Sequence, residues 1–514
     1  MGNRKLAIGV LTLAVCAFAL PAMAQMTSTG IDCSQISALH LLKQDNMRAG
    51  KTLIECGFVQ GGKPEGGSDI DFPAPPNVLV SNRTCTGATT CTKSENMVWE
   101  NGQTVVVNFN DNTGNTCYTG TSYSTDGGAT FTQITPAPFC NGHGTNYGDP
   151  IVVFNKKLNL WFAGDLATGC GGFGIGMWTS PDGITWTAGG CAYNGGNTDR
   201  ESMWVDNDPT SVGYGRMYVS LNDFNINGGA LRVSYSDNGT TWTPVTIASS
   251  FLRDVQVTGA QLTPTVVRAS LNAYDTVIVA SMDEGGGGGA TRQNVIWRSN
   301  NGGTSWTSST TGPRFSPVGD GVCSSNSYFE QVNPIWRHMG WGEPAVGPSN
   351  VVHYVYAGAG TNNDHGDIFY VRSADGGSTW STPIKLNTDP DQQYHTQWMP
   401  NLSVNSAGKV TASWYDRRQA NTACNSVTDP GCNYNRYAIQ SPDNGVTWTS
   451  DFVISSSLIN EPAQDNGNIV SCYAGDYDYS TASGNNAYVT WTDGRRNVGG
   501  VQVQDVNLAV VPEQ

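Results

Sequence analysis

The sequence predicts an all-β chain arranged as a ring of repeated four-stranded antiparallel units, and three observations carry that expectation. Gly, Thr, Ser, Asn and aromatic residues dominate, with 62 glycines, 15 Trp, 20 Tyr and 15 Phe. Long amphipathic helices would instead need Ala, Leu, Glu and Lys. One turn motif recurs six times at spacings of 55 to 74 residues, a periodicity that marks a repeat architecture. Around each copy, runs of β-branched and aromatic residues follow in the same order, as strands do.

The first element is a leader. Arg4 and Lys5 precede an apolar run over 6–20, and Ala22, Met23 and Ala24 form a small-residue cleavage site before Gln25, the pattern of a signal peptide spanning 1–24. The run is too short for a membrane anchor, so the chain is expected to be secreted or periplasmic, without membrane insertion. Removing the leader takes Cys16 with it and leaves twelve of the 13 cysteines. An even count in an exported chain suggests disulfides. Cys33/Cys56, Cys85/Cys91, Cys117/Cys140, Cys170/Cys191 and Cys424/Cys432 are close enough in sequence to close local loops, leaving Cys323 for Cys472. Spacing alone does not fix connectivity. The cysteines show no metal-binding C-x-x-C pattern, so no metal is assigned to them.

Residues 25–76 form an N-terminal segment. Ile36, Leu39, Leu41 and Leu42 give 34–50 the pattern of one short helix, pinned by Cys33 and Cys56, and 61–76 is a Gly/Pro-rich linker. The repeat domain then occupies 77–514. Its six turns are centred on Ser124/Asp126/Gly128, Ser180/Asp182/Gly183, Tyr235/Asp237/Gly239, Ser299/Asn301/Gly303, Ser373/Asp375/Gly377 and Ser441/Asp443/Gly445. An aromatic residue follows each: Phe131, Trp186, Trp242, Trp306, Trp380 or Trp448. Gly accepts positive φ, Asp accepts turn N–H groups, and the aromatic residue restarts a buried strand.

This pattern resembles the Asp-box, or BNR, repeat of the sialidase-like β-propellers. The fifth and sixth turns match it fully; the second is one residue short, the third has Tyr235 for Ser, and the fourth has Asn301 for Asp. The resemblance covers about residues 94–510. It implies that each box joins the third and fourth strands of a propeller blade and is structural.

The sixth unit shows the blade most clearly, with strands expected at 400–405, 409–415, 437–441 and 448–454. A seventh set, 477–482, 487–492 and 501–508, lacks a box and a fourth strand, which 77–80 is placed to supply, closing the ring. The expected fold is therefore a seven-bladed β-propeller, a six-bladed ring being the alternative. The stretches 285–289 and 312–340 are expected to be loop insertions.

Strand direction places the boxes on one face of the disc, and first-strand starts and second-strand ends on the other. First strands begin with Glu95, Asp149, Glu201, Gln261, Glu343, Gln397 and Asp476; second strands end with Asp111, Asp165, Asp223, Asp283, Asp416 and Asp493. One reading is that these residues cap strand ends. The other is that Glu201, Glu343, Asp416, Asp476 and Asp493 include catalytic carboxylates, or that the ring chelates Ca²⁺ at the channel mouth; no other cofactor is implied. Arg200 adjoins Glu201, Arg417 and Arg418 follow Asp416, and Arg495 and Arg496 follow Asp493. Their guanidinium forks suit a carboxylate-bearing sugar, unless each pairs with its neighbouring Asp. Trp398 offers a stacking face for a sugar ring, with core burial as the alternative.

A formal charge of −15 argues against nucleic-acid binding. The sialidase resemblance would imply an arginine triad and a near-N-terminal F/Y-R-I-P motif, and the nearest arginine, Arg83, has no Ile-Pro after it. The expectation is an exported monomer recognising a glycan or another exported protein on the face opposite the boxes. A glycoside hydrolase and a protein-interaction scaffold are the alternatives.

Overall fold

The structure, a computed structural model, describes residues 25–62, 77–82, 92–114, 117–260, 273–319, 321–324, 326–334, 336–426, 429–464, 466–498 and 501–513. The leader, most of the linker, the Cys85/Cys91 pair, Arg83 and Gln261 lie outside them. Among the described residues there are seven four-stranded antiparallel sheets, each running from an inner to an outer strand in chain order, except the last. Their inner strands adjoin one another in sequence around a ring. The protein is a seven-bladed β-propeller.

Inner strands are Lys93–Asn101, Ile151–Asn155, Thr198–Val205, Val257–Gly259, Glu343–Gly347, Gln397–Val404 and Thr481–Ser483, for blades 1 to 7. Blade 7 continues through Asn486–Asp493 and Asp505–Pro512 and takes its outermost strand, Val78–Leu79, from the start of the domain. Val78 pairs with Leu508 and Leu79 with Asn507. The ring thus closes by the expected N-terminal strand. The third strand lies later than expected because Asn497–Val498 and Val501–Gln502 pair as a separate hairpin.

Blades stack face to face, so both faces of a strand are buried. Along the second strand of blade 1, Val106 packs in the cluster that holds Trp161 of blade 2. Val105 and Val107 pack with Tyr488 and Leu508 of blade 7. This follows from the two-residue period of a strand between two layers.

The six turns lie between third and fourth strands. Ser124 Oγ accepts from Gly128 N at 2.9 Å and Asp126 Oδ1 from Thr130 N at 2.9 Å. The short second turn closes one residue earlier, Ser180 Oγ accepting from Gly183 N at 2.9 Å. Gly183 has φ +77°, and a Cβ there would sit 2.8 Å from Val106 Cγ2, so only glycine fits. The third turn corrects the expected register. Ser236 and Asn238, not Tyr235 and Asp237, organise it: Ser236 Oγ accepts from Gly239 N at 2.8 Å and Asn238 Oδ1 from Thr240 and Thr241 N at 2.9 Å. It is a second short turn with Asn in the Asp position. Asp237 instead takes a bidentate pair from Arg216 at 2.7 and 2.8 Å.

Among the described residues, five disulfides join Cys33–Cys56, Cys117–Cys140, Cys170–Cys191, Cys323–Cys472 and Cys424–Cys432; such bridges form and persist in oxidising compartments. No described helix is long and apolar enough to cross a membrane. The insertion at 312–340 is more than a loop. Gly321–Cys323, Asn326–Asn333 and Trp336–Arg337 form a small sheet, tied to the approach to blade 7 by Cys323–Cys472.

The expected single helix at 34–50 is instead two 3₁₀ turns, Cys33–Gln35 and Leu41–Lys43, and a helix α1, Met47–Glu55. His40 in the left-handed region (φ 54°) interrupts the first stretch. Asn46 starts α1 by accepting from Ala49 N at 2.8 Å, an N-cap. This segment lies over the channel mouth opposite the turns.

Candidate functional site

At inner-strand starts the backbone departs from β geometry. Glu95 (φ 50°), Asp149 (56°), Arg200 (50°) and Asp254 (67°) occupy the left-handed region without being glycine. Ladder registers shift at Ser94/Met97 and Asp199/Glu201. Such bulges re-aim side chains, and each strained residue costs about 1–3 kcal/mol that the surroundings must offset. All four side chains belong to one charged chamber at the channel mouth.

Three guanidiniums converge there. Arg200 and Arg253 Nη1 lie 3.5 and 3.1 Å from Asp45 Oδ2, and Arg337 Nη2 donates to the Asp45 carbonyl at 3.0 Å. Arg200 Nη2 donates to Asp254 at 2.7 Å, and its guanidinium stacks 4.5 Å from both the Trp341 and Tyr477 rings. Arg337 holds Asp476 at 2.6 Å and stacks on Phe329 at 4.2 Å. Arg253 lies 3.5 Å from Glu284. All three arginines are nearly fully buried.

Carboxyl groups outnumber these cations, so burial decides their charge. Burial pushes Asp149 up to about 8 and Asp254, despite Arg200, to about 6. Burial, with neighbouring carboxylates, also raises Glu95, Asp199, Glu201 and Glu343 well above the usual range. Asp45 is the exception: burial would raise it, but Arg253 and Arg200 override that and hold it below the ordinary range. Asp45 is therefore the ionised carboxylate at the centre, while Asp199 accepts from the backbone of Asp45 and Asn46.

The chamber is sealed by the segment that supplies Asp45. The backbone N–H groups of Asp45 and Asn46 donate to Asp199 at 3.0 and 3.1 Å, and Asn46 Nδ2 at 2.8 Å. Gln44 Nε2 donates to Asn197 Oδ1 at 3.0 Å. Below the chamber, a cavity of about 70 Å³ continues down the channel past Glu343 and Tyr479. At the turn face the channel opens into about 430 Å³, lined in part by Trp99, Glu100 and Lys156.

Of the sequence-derived candidates, Arg200, Glu201, Glu343 and Asp476 sit in or beside this chamber. Both Glu201 carboxyl oxygens are buried without a hydrogen-bond partner. Asp416 and Asp493 do not join them; they cap strand ends. Asp416 accepts from Arg418 N at 2.8 Å and Asp493 from Arg495 N at 2.9 Å. Asp111, Asp223 and Asp283 accept in the same way from the residue two positions on.

The arginines of blades 6 and 7 belong to these caps. Trp414 Nε1 and Arg418 both donate to Asp416, and Trp491 Nε1 and Arg495 to Asp493. Arg496 pairs with Asp505, while Arg417 donates to Asn333 at 2.6 Å and Thr396 at 3.1 Å. The repeated unit is thus W-x-D-x-R, a structural element that leaves this sector without an open guanidinium fork. Trp398 is fully buried, stacked on Tyr415 and packed against Trp336 and Tyr434, so it shows no face to a sugar.

Arg253, Arg337 and Asp45 were not singled out from sequence. Arg253-Asp254 repeats in blade 4 the basic–acidic junction that drew attention to Arg200-Glu201 in blade 3. Arg337 lies in the insertion and Asp45 outside the repeat, where periodicity gives no signal. Among the described residues, two groups bring three possible metal ligands within 4.8 Å: Asp364/Asp367/Asp391 and His143/Cys170/Cys191. Neither is at the channel mouth; the first already holds the Lys385 ammonium, 3.0 Å from Asp367, and the cysteines of the second are bridged.

No protein-family model matches the chain, and no curated protein matches it. Solved structures do align with it. One is a protein of unknown function from Dyadobacter fermentans, 13% identical over 86% of this chain and 99% of that one, TM-score 0.37. A second is an α-L-arabinofuranosidase from Fusarium graminearum, 10% identical over 87% and 98%, TM-score 0.39. A third is a polysaccharide lyase, an ulvan lyase, 10% identical over 89% and 95%, TM-score 0.44. At these scores the propeller assignment stands on the strand pairing of the chain itself.

Proposed function

We propose that this is an exported Asp-box propeller that recognises the carboxylate of an acidic saccharide at the channel mouth opposite the turns. One observation carries the reading: buried Arg200 of blade 3 and Arg253 at the start of blade 4 lie 3.5 and 3.1 Å from the Asp45 carboxylate, and Arg337 of the insertion donates to the carbonyl of the same residue at 3.0 Å. Guanidinium forks bind carboxylates with charge and geometry together. Burying three of them is unfavourable unless an anion completes the site. The aromatic faces of Trp341, Tyr477 and Phe329 hold the guanidiniums in place. The leader and the disulfides fit a secreted or periplasmic protein, and the chain acts as a monomer on a glycan of its surroundings.

Hydrolysis is the second reading, because Asp149 near 8 and Asp254 near 6 are carboxyl groups of the kind a general acid requires. An array of acidic and neutral glycans, with a panel of chromogenic glycosides, tests both on the mature protein. Retention of uronic- or sialic-acid glycans without turnover supports recognition, and turnover supports the hydrolase. Equal retention of acidic and neutral glycans contradicts the carboxylate reading.

A further inference from the structure

The anion now in the three-arginine site comes from the chain itself, and it fits imperfectly. Asp45 supplies charge to Arg200 and Arg253, yet Arg253 Nε, Nη1 and Nη2 and Arg200 Nε and Nη1 are buried without a hydrogen-bond partner. A buried donor left unsatisfied is destabilising. An occupant bearing both a carboxylate and hydroxyl groups satisfies more of these donors than the short Asp45 side chain does.

The segment carrying Asp45 holds its own shape. Cys33–Cys56 staples its ends, Ser28 N donates to Glu55 at 2.6 Å, and the Thr29 and Thr52 hydroxyls bond at 2.6 Å. Its apolar residues Ile31, Leu41, Met47 and Leu53 pack in the cluster that includes Tyr147, Phe173, Ile469 and Val470. The contacts over the mouth are of another kind: Gln44, Asp45 and Asn46 meet Asn197, Asp199 and the arginines through polar atoms. The tip at 44–46 can therefore exchange its contacts for those of a ligand while the apolar side stays packed.

We propose that this N-terminal segment is a built-in competitor. With the tip docked, the Asp45 carboxylate occupies the carboxylate site and closes the chamber; an acidic saccharide binds as the tip withdraws. The inference rests on the carboxylate reading of the chamber. Tethering gives the tip an effective concentration on the order of millimolar, so the closed state is the resting state and ligand affinity is held down.

The test uses the full mature chain with D-glucuronate as probe and D-glucose as neutral control. Asp45→Asn keeps the shape of the tip and removes its charge, and should raise glucuronate affinity at least tenfold in calorimetry while glucose stays unbound. On the unsubstituted protein, saturating glucuronate should speed exchange of the Asp45 and Asn46 amides, which donate to Asp199 in the closed state, a readout that does not depend on the variant folding. Equal glucuronate affinity in both proteins, or binding without a change in exchange at Asp45 and Asn46, overturns the competitor and leaves the carboxylate site standing. Failure of glucuronate to bind either protein overturns both.

Discussion

In the third turn, the side chain that does the work is one residue away from the one the motif suggests. Asn238 gathers two turn N–H groups, whereas Asp237 reaches outward to Arg216. Asn238→Ala leaves turn donors without their acceptor and should lower stability by about 1 kcal/mol. Asp237→Ala removes a largely exposed ion pair and should change it by less. Thermal unfolding of the two variants side by side checks the register; the reverse order would restore the sequence alignment. The displacement was legible only in part, because Tyr235-Ser236-Asp237-Asn238 offers two overlapping acceptor frames. Which frame is used depends on where Gly239 must take positive φ (74°).

Among the elements, blades were legible and caps were misleading. Turn chemistry and strand period act locally, so six turns predict six blades, a boxless set of strands predicts the seventh, and ring closure supplies only that blade's fourth strand. The W-x-D-x-R unit shows the opposite case. Arginine beside aspartate looks like a binding rim in sequence, yet each fork folds back on the carboxylate two residues before it. Arg418→Ala and Arg495→Ala each leave a buried carboxylate without its partner and should destabilise the protein by about 3–5 kcal/mol. Binding to acidic glycans should be unchanged per folded molecule, as measured by denaturant melts alongside calorimetry. The disulfides give a second prediction at this scale. Cys323–Cys472 closes a span of 149 residues and Cys424–Cys432 one of 8. Loop-closure entropy puts their contributions at about 5 and about 2.5 kcal/mol, so replacing the long-range pair by serines should lower the melting temperature more.

For the whole molecule, the chamber and the turns pull stability in opposite directions with pH. Asp149 and Asp254 are raised by burial to about 8 and about 6 from an ordinary value of 3.8. Between those values the folded state holds protons that the unfolded chain has lost. Their stabilisation is thus fully present below about pH 4 and lost as pH rises through 6 and 8. Asp126 and Asp443, held at about 2 chiefly by hydrogen bonds from Thr130 and Thr447, act the other way. Their contribution is present above 3.8 and lost as pH falls through about 2. The melting temperature should peak near pH 4–5 and decline toward pH 8; a rise over that range would contradict the neutral state of the chamber acids. The face that carries the chamber was legible from strand direction, but its completion was not. Arg253, Arg337 and Asp45 come from blade 4, the insertion and the N-terminal segment, and only the folded ring brings them together. Whether that convergence recognises a carboxylate is decided most directly by calorimetry of glucuronate against Asp45→Asn and Asp45→Asn/Arg253→Met. Removing the guanidinium should weaken glucuronate binding at least tenfold and leave the response to glucose unchanged. Equal affinity in the two proteins would contradict the three-arginine site.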